Sequence, residues 1–375
     1  MELAVYYYSL DMVDRAKEIL SILPEPNAEM LYWQAYLHRD SNKYKHFLLL
    51  AENADATFVF PFREESKKVF EWASIVGNSW KSRYYLALLE FSRNNINEAF
   101  ILLKEVGDKA NFSPCYVLCG DISKDIAEKE ANYKLAIQYS LGEWRYVHRL
   151  VRFYISQKQY KKALRILEPF YDEHKSHFPT GSLYVRSLLY CGKVKQAEDV
   201  LSKTYILPFE GEKSGRLLYL EIKLKLALQF LDDGKAKYAI KKIQESFLWP
   251  RNIGVGKPYD EIIDDRLENW LLALSYLKLG RKEVACKLME KVAYDQHSSS
   301  SINALLQALA LFYLHKEESS ELMFEKWVNS QKNHRLISWG KSFYQENRGK
   351  SYPFDYDNLY RIIGLISGAE DLRLF

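Results

Sequence analysis

The chain has 375 residues, 48% of them hydrophobic and 15% aromatic, which is enough apolar surface for a packed interior and excludes a disordered chain. Lys and Arg (53) exceed Asp and Glu (49) by only four, so no global field draws the chain to nucleic acid or to a membrane, and any electrostatic preference must be local. Four cysteines, Cys115, Cys119, Cys191 and Cys286, are too few for a disulfide framework and lack zinc spacing; they read as small core residues, and neither a metal centre nor a cofactor is expected.

The first element already carries the organising pattern. Leu3 and Ala4 are followed twelve positions later by Ala16, and Leu20 stands four beyond it. The same order recurs at Leu86-Ala87, Ala99 and Leu103; Leu150-Val151, Ala163 and Leu167; Tyr184-Val185, Ala197 and Leu201; Leu226-Ala227, Ala239 and Ile243; and Leu272-Ala273, Ala285 and Met289. Small residues twelve apart let two antiparallel helices approach where they cross, and the bulky residue one turn later fills the groove toward the next hairpin. The expected fold is all-α, a right-handed α-α superhelix of about eight to nine hairpins forming a single solenoid over 1–375.

Residues 1–57 are read as two N-terminal hairpins, the first stopped by Pro24-Glu25-Pro26 and the second weaker. Residues 58–78 hold an extended link, Phe58 to Arg63, and a helix that opens on two acids as a helix N-terminus prefers. Residues 79–330 are central repeats, with a degraded unit at 114–140 and the cleanest at 144–171. From Ala163 to Ala197 the interval is 34 residues; later intervals stretch to 42 and 46 through insertions at 205–215 and 249–262. Two helices in 331–375, near 336–345 and 358–366, are expected to cap the end. No apolar run approaches the roughly 20 residues of a membrane helix, and no signal peptide is evident, so the chain reads as soluble, with cytoplasm and periplasm both open.

The 34-residue period and the repeat positions resemble the tetratricopeptide-repeat family over nearly the whole chain, with poorer fit in the second, fourth and last units. A narrower resemblance lies in the linking segments: Phe60-Pro61-Phe62-Arg63, Trp80-Lys81 before Tyr84-Tyr85-Leu86, Leu207-Pro208-Phe209-Glu210-Gly211, and Asn252-Ile253-Gly254-Val255-Gly256-Lys257-Pro258-Tyr259-Asp260. These resemble the C-terminal repeat region of large bacterial proteins that carry a β-rich domain of unknown function, numbered 5107, ahead of the repeats. The resemblance implies a bacterial origin, an upstream domain missing before Met1, and a link to carbohydrate, but no established activity. An upstream segment agrees with Leu3 and Ala4 occupying repeat positions with no helix cap before them.

In the tetratricopeptide family the second, fifth and ninth positions of each first helix face a concave groove. The resemblance therefore implies Arg145, His148 and Arg152 in the cleanest repeat, Arg186 in the next, and Lys81 and Tyr84 in the third hairpin. Converging cations suit an acidic peptide or a free carboxylate; the alternative is a solvated basic face with internal ion pairs. The loop candidates are Arg63, Phe209, Glu210, Asn252, Gly254, Gly256, Lys257 and Tyr259. The 251–260 stretch is neither a dinucleotide fingerprint nor a phosphate loop, because the third glycine is missing and Pro258 follows Lys257. It either reaches into the groove beside Phe209 and Glu210 or acts as a spacer that sets curvature.

Asp232-Asp233 and Asp264-Asp265 point about 100° apart on a helix and do not share a site. His174 and His177 lack a third ligand, and no nucleophile motif is present. The expected function is a non-catalytic protein-interaction module that docks its own upstream β-rich domain or a partner polypeptide through a basic concave groove, with neither nucleic acid nor membrane insertion. The rival is an accessory part of a carbohydrate-active enzyme whose catalytic or sugar-binding domain lies upstream.

Overall fold

The computed structural model of the chain describes residues 1–140, 142–211, 213–348 and 356–369. Parts of the expected 205–215 insertion (Glu212) and of the 331–375 end (349–355 and 370–375) lie outside the described residues. All regular structure among the described residues is helical. The twelve-residue register accounts for it: the small residue and the alanine of all six instances are at most 1% exposed, and the bulky residues that follow are at most 3% exposed. Packing divides the chain into two compact units, residues 1–153 and 154–375.

The first unit contains the hairpins α1 (Glu2–Ser9) with α2 (Val13–Ser21), α3 (Ala28–Leu37) with α4 (Lys43–Asn53), α6 (Trp80–Ser92) with α7 (Ile96–Val106), and α8 (Ser113–Ile122) with α9 (Ile126–Gln138). A single helix, α5 (Glu64–Val76), packs on α3 and α6, and α10 (Trp144–Ser156) begins in this unit. Several starts are fixed by side-chain caps: Asn27 accepts from the Met30 N–H at 3.0 Å and Asp125 from the Glu128 N–H at 2.7 Å. A buried relay ties α3 to α5, as the Trp33 indole donates to Ser66 Oγ (3.0 Å) and that hydroxyl donates to Glu29 (2.7 Å). The hairpin at 114–140, degraded in sequence, is complete in structure. Its close approach uses Gly120, where an added Cβ would lie 2.6 Å from the Tyr133 ring, so a glycine and an aromatic replace the pair of small residues.

The second unit holds α11 (Tyr160–Glu173) and the hairpins α12 (Phe178–Tyr190) with α13 (Val194–Lys203), α14 (Ser214–Asp232) with α15 (Ala236–Ser246), α16 (Arg266–Lys278) with α17 (Lys282–Ala293), and α18 (Ala304–Tyr313) with α19 (Glu317–Ser330). Gly192, Gly234 and Gly280 take positive φ at the turns between paired helices, where a side chain would be strained. Of the helices in 331–375, α20 (His334–Asn347) packs on α18 and α21 (Tyr356–Ile366) lies along α14. The cause of the latter is an apolar stripe on α21: Leu359, Ile362 and Ile363 stand at i, i+3 and i+4 and are buried in the core of this unit.

The two insertions interlock. Asn252 donates from Nδ2 to the Leu201 and Thr204 carbonyls at the end of α13 (2.9 Å each), and its own carbonyl accepts from the Ile206 N–H at 2.9 Å. Ile206 and Ile253 are thereby buried, and Gly215 lets the Ile253 carbonyl approach so closely that an added Cβ would sit 2.0 Å from it.

Candidate partner-binding surfaces

The first unit holds a groove of about 670 Å³ lined by Ala56–Phe60, by Asn111–Pro114, by Tyr139, Ser140, Glu143, Arg145 and Tyr146, and by Tyr84 of α6. Six aromatic residues, Phe58, Phe60, Tyr84, Phe112, Tyr139 and Tyr146, stand in its walls. Tyr84 is buried beneath it, meeting Phe112 edge-on at 5.7 Å, while Tyr116 and Tyr139 stack at 5.3 Å. Along one side runs the extended link. Val59 and Pro61 are buried, whereas Phe58, Phe60 and Phe62 are 86%, 67% and 68% exposed. Phe58 has φ +60°, a left-handed conformation uncommon for an aromatic residue, next to a turn in which Asp55 accepts from the Thr57 N–H (2.9 Å) and hydroxyl (2.8 Å). Those hydrogen bonds hold the Asp55 carboxyl below the usual carboxylate range.

Of the residues expected on the basic face of α10, two are exposed and one is buried. Arg145 and Arg152 are exposed on α10, and Arg145 pairs with Glu143 at 2.8 Å while resting 4.7 Å from the Trp144 ring. His148 is buried, its ring 4.8 Å from that of Trp144, so it does not belong to the exposed face. In its place stands Arg149, which ion-pairs with Asp121 and was not singled out by the sequence. The stripe is thus Arg145, Arg149 and Arg152, at i, i+4 and i+7.

Lys81 is committed elsewhere: its ammonium donates to the Glu52 carbonyl at 2.9 Å and to that of Ala54, closing the end of α4. Burial holds it below the usual lysine range. Arg63 precedes α5, ion-pairs with Glu2, and lies 4.2 Å from the Phe62 ring.

In the second unit Arg186 ion-pairs with Glu221, which is fully buried, and donates to the Ser367 carbonyl at 3.3 Å. Lys225 completes the set with a 2.6 Å pair to Glu221, and burial of that carboxylate is outweighed by the two cations, which keep it below its usual range. Of the loop candidates, Asn252 and Gly254 are structural: the former bridges the insertions, and the latter takes φ +73° against Ile206. Phe209, Glu210 and Tyr259 are exposed, Gly256 faces open space, and Lys257 pairs with Asp260 at 2.6 Å.

A buried ionic cluster escaped the sequence reading. Arg266, with no exposed side-chain surface, donates to both oxygens of Asp264 (2.8 and 2.7 Å), to Gln307 (2.8 Å) and to the Ser298 carbonyl (3.2 Å), and lies 3.5 Å from Asp295. Asp264, Asp295 and His297 bring ligand-type atoms within 4.8 Å of one another. The guanidinium already supplies the positive charge at that point, so the cluster reads as an ion-pair network rather than a metal centre. His174 and His177 turn their Nδ1 atoms to the Phe170 carbonyl (2.9 Å) and Thr180 Oγ1 (2.8 Å). Among the described residues no helix is long and apolar enough to cross a membrane.

In both units the architecture is a tetratricopeptide-like stack of helical hairpins. No family model matches the sequence, and no curated protein matches it. Among solved structures, a tetratricopeptide repeat protein from Parabacteroides merdae is 12% identical, covering 85% of this chain and 98% of that one at a TM-score of 0.35. A structure of Naa15/Naa10 bound to HypK-THB is 13% identical over 92% of this chain but 58% of that one, with a TM-score of 0.44. Yeast Tom70 is 11% identical over 92% and 87%, with a TM-score of 0.38. At these values the fold rests on the chain's own hairpins.

Proposed function

We propose that the chain is a non-catalytic protein-interaction module that grips a partner polypeptide, its own upstream β-rich domain or a separate chain, on the aromatic groove and arginine face of the first unit. The observation that carries this reading is the link at 58–62. It presents three exposed phenylalanines, two of which, Phe58 and Phe60, line a groove of about 670 Å³. Contiguous exposed apolar surface of this kind marks interaction sites, and an extended edge suits addition of a partner strand whose alternate side chains enter the groove. Arg145, Arg149 and Arg152 add a rim that favours acidic residues flanking the apolar anchor.

The test is capture by the immobilised full chain from its native lysate, comparing wild type with Phe58→Ser/Phe60→Ser and with Arg145→Ala/Arg152→Ala. A polypeptide retained by wild type and lost from both variants, with the helical circular-dichroism spectrum unchanged, is the expected result. Equal retention by all three would remove the groove and the arginine face from the account.

A further inference from the structure

The position of α21 differs in kind from that of the other helices. Hairpin helices in the second unit are joined by short turns and locked at small-residue crossings, whereas α21 starts nine residues after α20 ends and packs on α14, distant in sequence. It runs from α16 to α12 across the intervening α14. At its start, the Lys278 ammonium donates to the Tyr356 hydroxyl at 2.6 Å, and the Trp339 indole donates to Asn358 at 2.6 Å. At its end, Arg186 donates to the Ser367 carbonyl (3.3 Å) and the Tyr190 hydroxyl to the Ala369 carbonyl (2.8 Å). In between, Leu359, Ile362 and Ile363 are buried to 1% exposure or less.

The stripe packs into the apolar core of this unit. Where the helix ends, Ser367 meets the Arg186, Glu221 and Lys225 ion pairs, groups that water could also solvate were the helix absent. The ends match in charge as well, because the last carbonyls of a helix carry partial negative charge and here that of Ser367 meets a guanidinium. One apolar stripe at i, i+3 and i+4, a C-terminal end held by a cation, and ion pairs beside that end are the features of a helix seated in a binding groove.

We infer that the α12–α14–α16 face is a receptor for an amphipathic helix and that α21 is its built-in occupant, displaced by a partner helix of the same chemistry. The partner helix carries aliphatic residues at i, i+3 and i+4 and ends with carbonyls free to accept from Arg186 and Tyr190. This inference rests on the reading of the chain as a polypeptide-binding module and adds a second surface, closed until a competitor arrives. The family resemblance implied a groove position for Arg186; on this inference the groove is one the chain fills itself.

The probe is a fluorescein-labelled peptide of residues 356–369, titrated by anisotropy against the full chain, the chain ending at Arg348, and the full chain carrying Ile362→Asp/Ile363→Asp. The full chain should bind weakly and the other two at least about tenfold more tightly, since an occupied groove lowers apparent affinity by the open fraction. Arg186→Ala in the shortened chain should weaken binding about fivefold to tenfold. Hydrogen exchange on the intact full chain should show amides of α21 exchanging well before those of α14.

The inference is overturned if the shortened chain keeps its helical spectrum and melting transition yet fails to bind the peptide. It is overturned equally if that chain loses its folded transition, or if α21 and α14 exchange together, because α21 is then an integral layer of the unit. Phe58→Ser/Phe60→Ser should leave peptide binding unchanged, so failure of the first-unit surface and failure of this one are distinguishable.

Discussion

Replacing Arg266 with methionine removes every donor of a fully buried guanidinium while keeping most of its length. The half-buried Asp264 then loses a bidentate partner at 2.8 and 2.7 Å, and Gln307 Oε1 and the Ser298 carbonyl each lose a donor. Breaking a buried pair on one side costs about 3–5 kcal/mol, which for a unit of more than 200 residues is about a 10 °C fall in melting temperature. The loss should depend on pH in a defined direction. Burial raises the Asp264 carboxyl, but the hydrogen bonds and charge of Arg266 outweigh it and hold the group below its usual range. A depressed folded value means that the stabilisation is fully present above the unfolded carboxylate value near 3.9 and is lost as pH falls through the folded one. With methionine at this position burial is opposed only by the Ser301 and Asn303 hydrogen bonds, so the variant is penalised most at neutral pH and recovers relative to wild type on acidification. Urea unfolding followed by circular dichroism at pH 7 and at about pH 3.5 measures both. A gap below about 1 kcal/mol, or one equal at the two pH values, would refute the view of this cluster as a charge-satisfied structural core.

Asn252→Ala should destabilise the second unit by about 2 kcal/mol in thermal melts, because two half-buried carbonyls at the end of α13 lose their donor; unchanged stability would contradict the clamp. Glu268 is fully buried and its carboxyl is pushed up to about 7 by burial, against its own backbone N–H and Arg216. A raised folded value costs stability as pH climbs from the unfolded value near 4.3 toward 7, so Glu268→Gln should match wild type near pH 4 and exceed it by about 3 kcal/mol above pH 7. Equal stability across that range in urea titrations would contradict it. Phe58→Gly relieves the left-handed backbone at φ +60° and should raise stability by about 1 kcal/mol while weakening partner capture. Loss of stability in calorimetry would show that the exposed ring contributes to the fold.

The fold was legible because small residues at helix crossings are a local pattern with a fixed spacing, and those positions are buried throughout. The same rule missed the crossing at Gly120, where an aromatic partner changes the residue types while leaving the geometry intact. Side-chain exposure at the candidate surfaces was legible in part. Arg145 and Arg152 are exposed as expected, but His148 turns inward toward Trp144, a choice between side-chain directions that spacing does not decide. Arg186 meets Glu221, 35 residues away, and the Ser367 carbonyl, 181 residues away, and no short window of sequence contains such partners. The loop at 249–262 offered glycines and an asparagine that looked available for a ligand. Asn252 and Gly254 are consumed by the end of α13 and by Ile206, contacts set by how neighbouring hairpins stack, whereas Gly256 faces open space.

The most direct measurement is hydrogen exchange of the full chain with and without its captured polypeptide, resolved by peptide along the sequence. Slower exchange at 56–63, 111–114 and 139–147 on partner addition is the expected result, because those stretches build the groove, the phenylalanine edge and the start of the arginine face. Protection confined to other segments, with these three unchanged, would contradict the claim that this chain works by gripping a polypeptide there.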